Sequence, residues 1–185
     1  MTAQERNELM DIIRRLSYEE REVTLASGRK SNFYFDGKQT TLHPRGSVLV
    51  GKAFLEAARS FGPRIEGVGG LTLGADPIAT ATSMISSLES EPFPAFIIRK
   101  EPKGHGTGQW LEGRKNLASG AKVVIVEDVV TTGASSIKAI ERAREEGLDV
   151  VGVVTLVDRE EGGSECFAAA GIPFKVIFTK TEVAA

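Results

Sequence analysis

Cysteine is all but missing from this sequence. A single residue, Cys166, rules out an internal disulfide, so a stapled secreted scaffold is excluded and a reducing, cytoplasmic setting is expected. Long apolar runs are missing too. None approaches membrane-spanning length, and the charged N-terminus MTAQERNELMDIIRR lacks the apolar stretch of a signal peptide. Neither sign of charge prevails: 23 Lys and Arg stand against 25 Asp and Glu, so neither nucleic acid nor an anionic membrane is expected as a partner. Internal repeats and low-complexity tracts are also lacking. What is present is 185 residues, 41% hydrophobic and 26% charged, ordinary for a soluble globular protein and enough for one sizeable core. A single domain over residues 1–185 is expected.

Periodicity supplies the order of elements. Leu9, Ile12, Ile13 and Leu16 mark one face of an N-terminal helix. VTLAS and NFYFD read as two short strands about the turn SGRKS. Pro44 suits the first turn of a helix whose apolar stripe, Val48, Leu55 and Ala58, runs to about Arg59. Apolar strands follow at IEGVG, PAFIIR, AKVVIVE, VVGVVTLVD and FKVIFT. Helices from about Ala75 to Leu88, Ala134 to Glu146 and Glu165 to Ala170 separate them, with Gly147 as the stop of the second. Strands that alternate with helices and lack polar alternation predict a parallel sheet covered on both faces, an α/β fold. Residues 1 to about 42 fall outside that alternation and are expected to form a small hood. The longest aperiodic segment, Arg99 to Gly113, holds four glycines and a proline, and loops of this length are commonly functional.

The stretch KVVIVEDVVTTGASS, Lys122 to Ser136, carries the chemistry. A buried-looking strand delivers Glu127 and Asp128 side by side, then passes through Val129 and Val130 into Thr131, Thr132, Gly133, Ala134 and Ser135. In an open parallel sheet, ligands bind beyond the carboxyl ends of the strands. Two carboxylates there repel each other unless hydroxyl groups or a cation satisfy them. The loop that follows offers hydroxyls and backbone N–H groups at a helix start, and Gly133 permits close approach, so it forms a phosphate cradle. Carboxylates for sugar hydroxyls beside such a cradle describe a ribose 5-phosphate site. Without the acidic pair the loop would be an ordinary strand-to-helix turn. Gly46 to Ala53 nearly spells a P-loop, but Ala53 stands where a hydroxyl is required. GVGGLTLGA has Thr72 at the third glycine position of a dinucleotide fingerprint, and remains a candidate second phosphate loop.

The segment VIVEDVVTTGASS resembles the phosphoribosyl diphosphate signature of the type I phosphoribosyltransferases. SGRKSNFYFDGKQ and RKEPKGHG narrow the resemblance to the orotate phosphoribosyltransferases, over about Leu25 to Arg159. It implies the type I fold, a mostly parallel central sheet flanked by helices, with an N-terminal hood. It also implies transfer of ribose 5-phosphate from 5-phospho-α-D-ribose 1-diphosphate to orotate, giving orotidine 5′-monophosphate and pyrophosphate. On that resemblance Lys103 and Asp128 are the catalytic candidates, the first at the leaving pyrophosphate and the second beside the developing oxocarbenium ion. Arg99, Lys100, Lys103 and His105 would bind the diphosphate, Glu127 and Asp128 the ribose hydroxyls, and Thr131 to Ser135 the 5-phosphate. Thr131 and Arg159 would meet orotate, the arginine pairing with its carboxylate. Tyr34 and Phe35 would lie nearby in the hood. Mg²⁺ is expected through the substrate diphosphate and ribose, with no firm protein ligand. A homodimer is expected too, the loop of one subunit completing the site of the other.

The sequence departs from the family pattern twice. Some members carry a lysine just before the SGRKS turn, where Ala26 stands, and a Tyr-Lys pair where this chain has Leu73 and Gly74. Lys30, or backbone amides of Gly70 to Gly74, would supply those contacts instead. His43, Trp110 and Cys166 are read as structural. Two alternatives stay open: a purine-type phosphoribosyltransferase, and a non-catalytic module that senses phosphoribosyl diphosphate. Arg159 and the hood segment weigh against the first, Lys103 and His105 against the second.

Overall fold

Thr2 opens the first helix with a capping box, its hydroxyl accepting from Glu5 N while the Glu5 carboxylate accepts from Thr2 N. This helix, α1 (Ala3–Leu16), buries Leu9, Met10, Ile12 and Ile13, whereas Leu16 at its end is exposed. The computed structural model describes residues 1–24, 30–62, 64–89, 91–102 and 109–185. Strands β1 (Tyr18–Thr24) and β2 (Lys30–Phe35) pair antiparallel as the hood. Most of the SGRKS turn, and Ala26 before it, lie outside the described residues. A four-residue helix, α2 (Lys38–Thr41), leads into α3 (Pro44–Arg59), whose N-cap is His43, its Nδ1 accepting from Gly46 N. The histidine is structural, as the sequence suggests.

The main sheet is built from β3 (Gly67–Leu71), β4 (Ala95–Ile98), β5 (Leu111–Glu112), β6 (Lys122–Val130), β7 (Asp149–Asp158) and β8 (Phe174–Thr179). Their order is β5-β4-β3-β6-β7-β8, parallel throughout except for β5 at the edge. Helices α4 (Ala75–Ser87), α5 (Ala134–Glu145), α6 (Gly163–Ala169) and α7 (Lys180–Ala184) follow β3, β6, β7 and β8. Two apolar layers result. Val124 and Val126 of β6 join α1, α3, α4 and the hood in one cluster, while Val123 and Ile125 join α5 and Phe167 of α6 in the other. Alternate residues of one strand thus face opposite layers, as the pleat requires.

Four expectations shift. β1 begins at Tyr18 rather than at Val23, β3 starts at Gly67 rather than near Ile65, β6 runs past the acidic pair to Val130, and β5 occupies part of the segment read as aperiodic. Glycine is a poor strand former, so β3 is a strand because its neighbours hold it. They also press on it: a Cβ on Gly70 would lie 2.3 Å from the Val126 carbonyl oxygen and 2.7 Å from Ala75 Cβ. Gly70→Ala is therefore expected to destabilise the fold by about 1–3 kcal/mol through overpacking against backbone. Urea unfolding should show a lower midpoint at unchanged slope. An unchanged midpoint would mean that β3 and β6 separate at no cost.

Candidate active site

Chain order reverses across the sheet between β3 and β6: β3 leads through α4 outward to β4, and β6 leads through α5 the other way to β7. The crevice beyond such a reversal is where open α/β sheets bind ligands. Glu127 and Asp128 lie there, each about nine-tenths buried at 7% exposure. Their side chains leave the strand on opposite faces, yet the two carboxyl groups bond to each other, which raises Glu127 and lowers Asp128. Ser136 of α5 donates from Oγ to Glu127 Oε2 at 3.4 Å, while a Cβ on Gly37 would lie 2.8 Å from Asp128 Cβ on the hood side. The loop after β3 closes over both, since a Cβ on Gly74 would lie 2.5 Å from Asp128 Oδ1 and 2.9 Å from Glu127 Oε1. Beyond the pair the alternation slips by one residue, Val129 packing with the first layer and Val130 with the second.

Burial dominates the electrostatics here. It pushes Glu127 up to about 8, with the charge of Asp128 adding to the effect. Burial also raises Asp128, outweighing the pull of Lys38 and the bond from Val129 N to Asp128 Oδ1 at 3.0 Å. Lys38 Nζ binds Asp36 Oδ1 at 2.7 Å. That bond raises the lysine, against its partial burial, and the charge of Asp128 raises it further. Two helix N-termini converge on the crevice. Gly74 is the N-cap of α4 and Gly133 that of α5, and neither has a side-chain cap bond. Gly133 takes φ 83°, a conformation that glycine adopts without strain, and the first-turn N–H groups of α5 then face the loop Thr131–Ser135. Uncapped N–H groups and a helix dipole suit an anion.

Arg159 follows β7 directly, and its backbone N–H donates to Val130 O at 2.9 Å, so it sits beside Thr131. Its guanidinium lies 5.4 Å from the Phe33 ring of the hood. Tyr34 and Phe35 take opposite faces of β2: Phe35 packs in the core with Phe33, while Tyr34 lies under Arg21 at 3.8 Å. Arg99 and Lys100 share a cleft of about 560 Å³ with Ser135 and Lys138 rather than reaching the acidic pair. Arg99 is held by Glu112 Oε1 at 3.1 Å and the Glu101 carbonyl at 3.2 Å. Lys103 and His105 fall outside the described residues. Lys30 binds Glu22 at 2.8 Å in the hood. Trp110 lies under Arg142 at 3.9 Å, in keeping with a packing role. Sequence reasoning missed Lys38 and Phe33. The signal for Lys38 was its place two residues after Asp36, at the start of a short helix; Phe33 had none beyond strand alternation.

Comparison with known proteins agrees with this geometry. The family model of the phosphoribosyl transferase domain matches residues 75–170. An orotate phosphoribosyltransferase of Nostoc sp. is 49% identical, over 94% of this chain and 82% of its own length. The crystal structure of Mycobacterium tuberculosis orotate phosphoribosyltransferase in complex with Fe(III) dicitrate superposes at TM-score 0.83 and 39% identity, covering 98% of this chain and 99% of that one. The same enzyme in complex with 5-phospho-α-D-ribosyl 1-diphosphate gives TM-score 0.79 at 37% identity, with the same coverage. On identity, coverage and fold together, the chain belongs to the orotate phosphoribosyltransferase family.

Proposed function

We infer that this chain joins orotate N1 to C1 of 5-phospho-α-D-ribose 1-diphosphate, releasing pyrophosphate and forming orotidine 5′-monophosphate. The observation that carries the reading is the buried pair Glu127 and Asp128 at the sheet reversal, with the uncapped N-terminus of α5 beside it. As the C1–O bond breaks, positive charge grows on the ribose and negative charge on the departing diphosphate. Asp128 and Glu127 accept from the ribose hydroxyls, and Asp128 steadies the positive ring. Thr131 to Ser135 hold the 5-phosphate through hydroxyls and amides. Arg159 pairs with the orotate carboxylate, and Thr131 lies beside the orotate ring. Arg99, Lys100, Lys103 and His105 serve the diphosphate, with Lys103 stabilising the leaving group.

Two buried carboxyl groups suit a hard cation that keeps waters and is held largely by substrate oxygens. No cluster of three ligating side chains occurs among the described residues. Glu127 and Asp128 would flank a Mg²⁺ carried in by the substrate, which would supply charge neutralisation at the leaving diphosphate. A cytoplasmic setting fits the lone Cys166, and no described helix is long and apolar enough to cross a membrane. Assembly is proposed as a homodimer. Leu42, Leu73 and Met84 are exposed and line one groove with Lys38, next to the glycines that press on the acidic pair. Exposed apolar patches of this kind mark association surfaces.

The direct test is to mix the protein with phosphoribosyl diphosphate, Mg²⁺ and orotate and follow the loss of orotate absorbance. No turnover with orotate, but turnover with a purine base, would replace this reading with the purine-type one.

Asp128→Asn should lose a charge-assisted bond that matters most in the transition state, costing about 1.5–3 kcal/mol, roughly 10- to 150-fold in kcat/KM. The fold should persist, since the shape is kept. Unchanged kcat/KM would remove Asp128 from the reaction.

Glu127 gives a pH signature. Its raised value leaves it mostly protonated near pH 7 before substrate binds. Hydroxyl donors favour the anion and lower that value, so loading should release a proton, and affinity should rise with pH across about pH 6–8. Calorimetry in two buffers of different ionisation enthalpy measures the release, which Glu127→Gln should abolish. Wild-type heats that do not depend on buffer would contradict the assignment.

Complementation tests the dimer. Lys103→Ala and Asp128→Asn homodimers should each keep about a tenth of wild-type activity or less. If each site takes its loop from the partner, a mixed dimer carries both defects in one site and neither in the other. About half of wild-type activity per heterodimer then returns on symmetry alone. Demonstrated subunit exchange without recovery would show that each loop serves its own subunit.

A further inference from the structure

Past the end of β7 the chain turns through Arg159, Glu160 and Glu161. Arg159 is nearly buried, and its Nε donates to Glu161 Oε1 at 3.1 Å. The same oxygen lies 3.8 Å from Nζ of Lys180, the first residue of α7. Both cations stand over one ring. Arg159 Cζ is 5.4 Å and Lys180 Nζ 5.6 Å from the centroid of Phe33, itself 3% exposed. The Glu161 side chain is 12% exposed, so water screens these charges weakly.

The turn is built to achieve this. Glu160 takes φ 57°, a left-handed conformation that is strained for a non-glycine residue. Three bonds hold it there: its N–H donates to Asp158 Oδ1 at 3.0 Å, and its carboxylate accepts from Thr181 N at 2.9 Å and Thr181 Oγ1 at 2.6 Å. Two adjacent glutamates are thereby sent different ways. Glu160 goes out to α7, and Glu161 returns to Arg159.

We propose that Glu161 is a positioning residue for the acceptor: it fixes the plane of the Arg159 guanidinium over Phe33, in the pose that receives the carboxylate of orotate. This rests on Arg159 being the partner of that carboxylate. A two-point bond between guanidinium and carboxylate depends on the orientation of the plane, so an arginine that is held loses less on binding than one that must be ordered. Lys180 offsets the obvious objection. Two cations around one glutamate leave a net positive charge of one within the trio, so an arriving carboxylate is attracted although Glu161 lies beside its site.

Steady-state kinetics on five proteins tests it: wild type, Arg159→Ala, Glu161→Ala, Glu161→Gln and the double alanine variant, with both substrates varied. Glu161→Ala should raise KM for orotate roughly five- to tenfold, while kcat and KM for phosphoribosyl diphosphate move far less. Glu161→Gln, which keeps an acceptor oxygen for Nε, should recover part of the loss. Once Arg159 is alanine, removing Glu161 should change KM for orotate no further. A fall in KM for orotate in Glu161→Ala would identify Glu161 as a competitor and overturn the proposal. So would equal losses for both substrates, or full additivity in the double variant. If Arg159→Ala itself spares orotate, the assignment of Arg159 fails, and Glu161 loses its role with it.

Discussion

Two adjacent carboxylates are buried at one point of the sheet, and much of the surrounding structure answers to that. Removing a carboxylate from water costs several kcal/mol unless partners replace the water. Here the described partners are few: one serine hydroxyl, one backbone N–H, the field of Lys38 and the bond between the two carboxyl groups. An exposed ion pair elsewhere returns at most about 1 kcal/mol. The cost therefore falls on the apolar layers on either side of β6. It also explains the glycines at 37, 70 and 74, where any side chain would collide with the pair or with the strand that carries it. A site where burial disfavours the charged form of both carboxyl groups has the means to favour a ligand that brings hydroxyls.

The hood contributes at a distance. Its strand β2 sends Phe33 and Phe35 into the main apolar layer, and Phe33 becomes the floor under Arg159 and Lys180. That floor is braced through the two ends of the chain. Arg6 bonds Ile177 O at 3.1 Å and Glu182 at 2.8 Å, while Arg14 bonds Val183 O at 3.1 Å and Glu182 O at 2.7 Å. Helix α1 is thus clasped to α7, whose first residue is Lys180. Residues far apart in sequence fix the Arg159 side of the crevice to the sheet.

This explains which parts of the site could be read in advance. β6, its acidic pair and the loop to α5 are contiguous, and contiguous chemistry leaves a pattern in the sequence: an aliphatic run, two carboxylates, then hydroxyls and a glycine. α3 was legible to the residue, because Pro44 marks one end and its apolar stripe the other. Lys38 and Phe33 come to the site through the packing of the hood, which no local spacing encodes. β5 pairs only Leu111 and Glu112 with β4, too short a run to show a period. The continuation of β6 through Val129 and Val130 was hidden because carboxylates interrupting an apolar run read as its end. Burial on both faces overrode that local signal.

The order of strand ends across the sheet now matches the order of groups in the proposed reaction. Arg99 and Lys100 follow β4, the glycine loop follows β3, the acidic pair ends β6, and Arg159 follows β7. Neighbouring strands are about 4.8 Å apart, so β4 and β7 are separated by three steps of roughly 14 Å in all. The cations proposed for the diphosphate thus lie on one side of the carboxylates proposed for the ribose, and the arginine proposed for the acceptor on the other. A displacement in which orotate approaches C1 from the face opposite the leaving diphosphate needs that disposition. It also explains why the pair belongs on the central strand. Charge that develops on the sugar as both partners stand away from C1 is then met by the two groups nearest the middle, on the element least able to move.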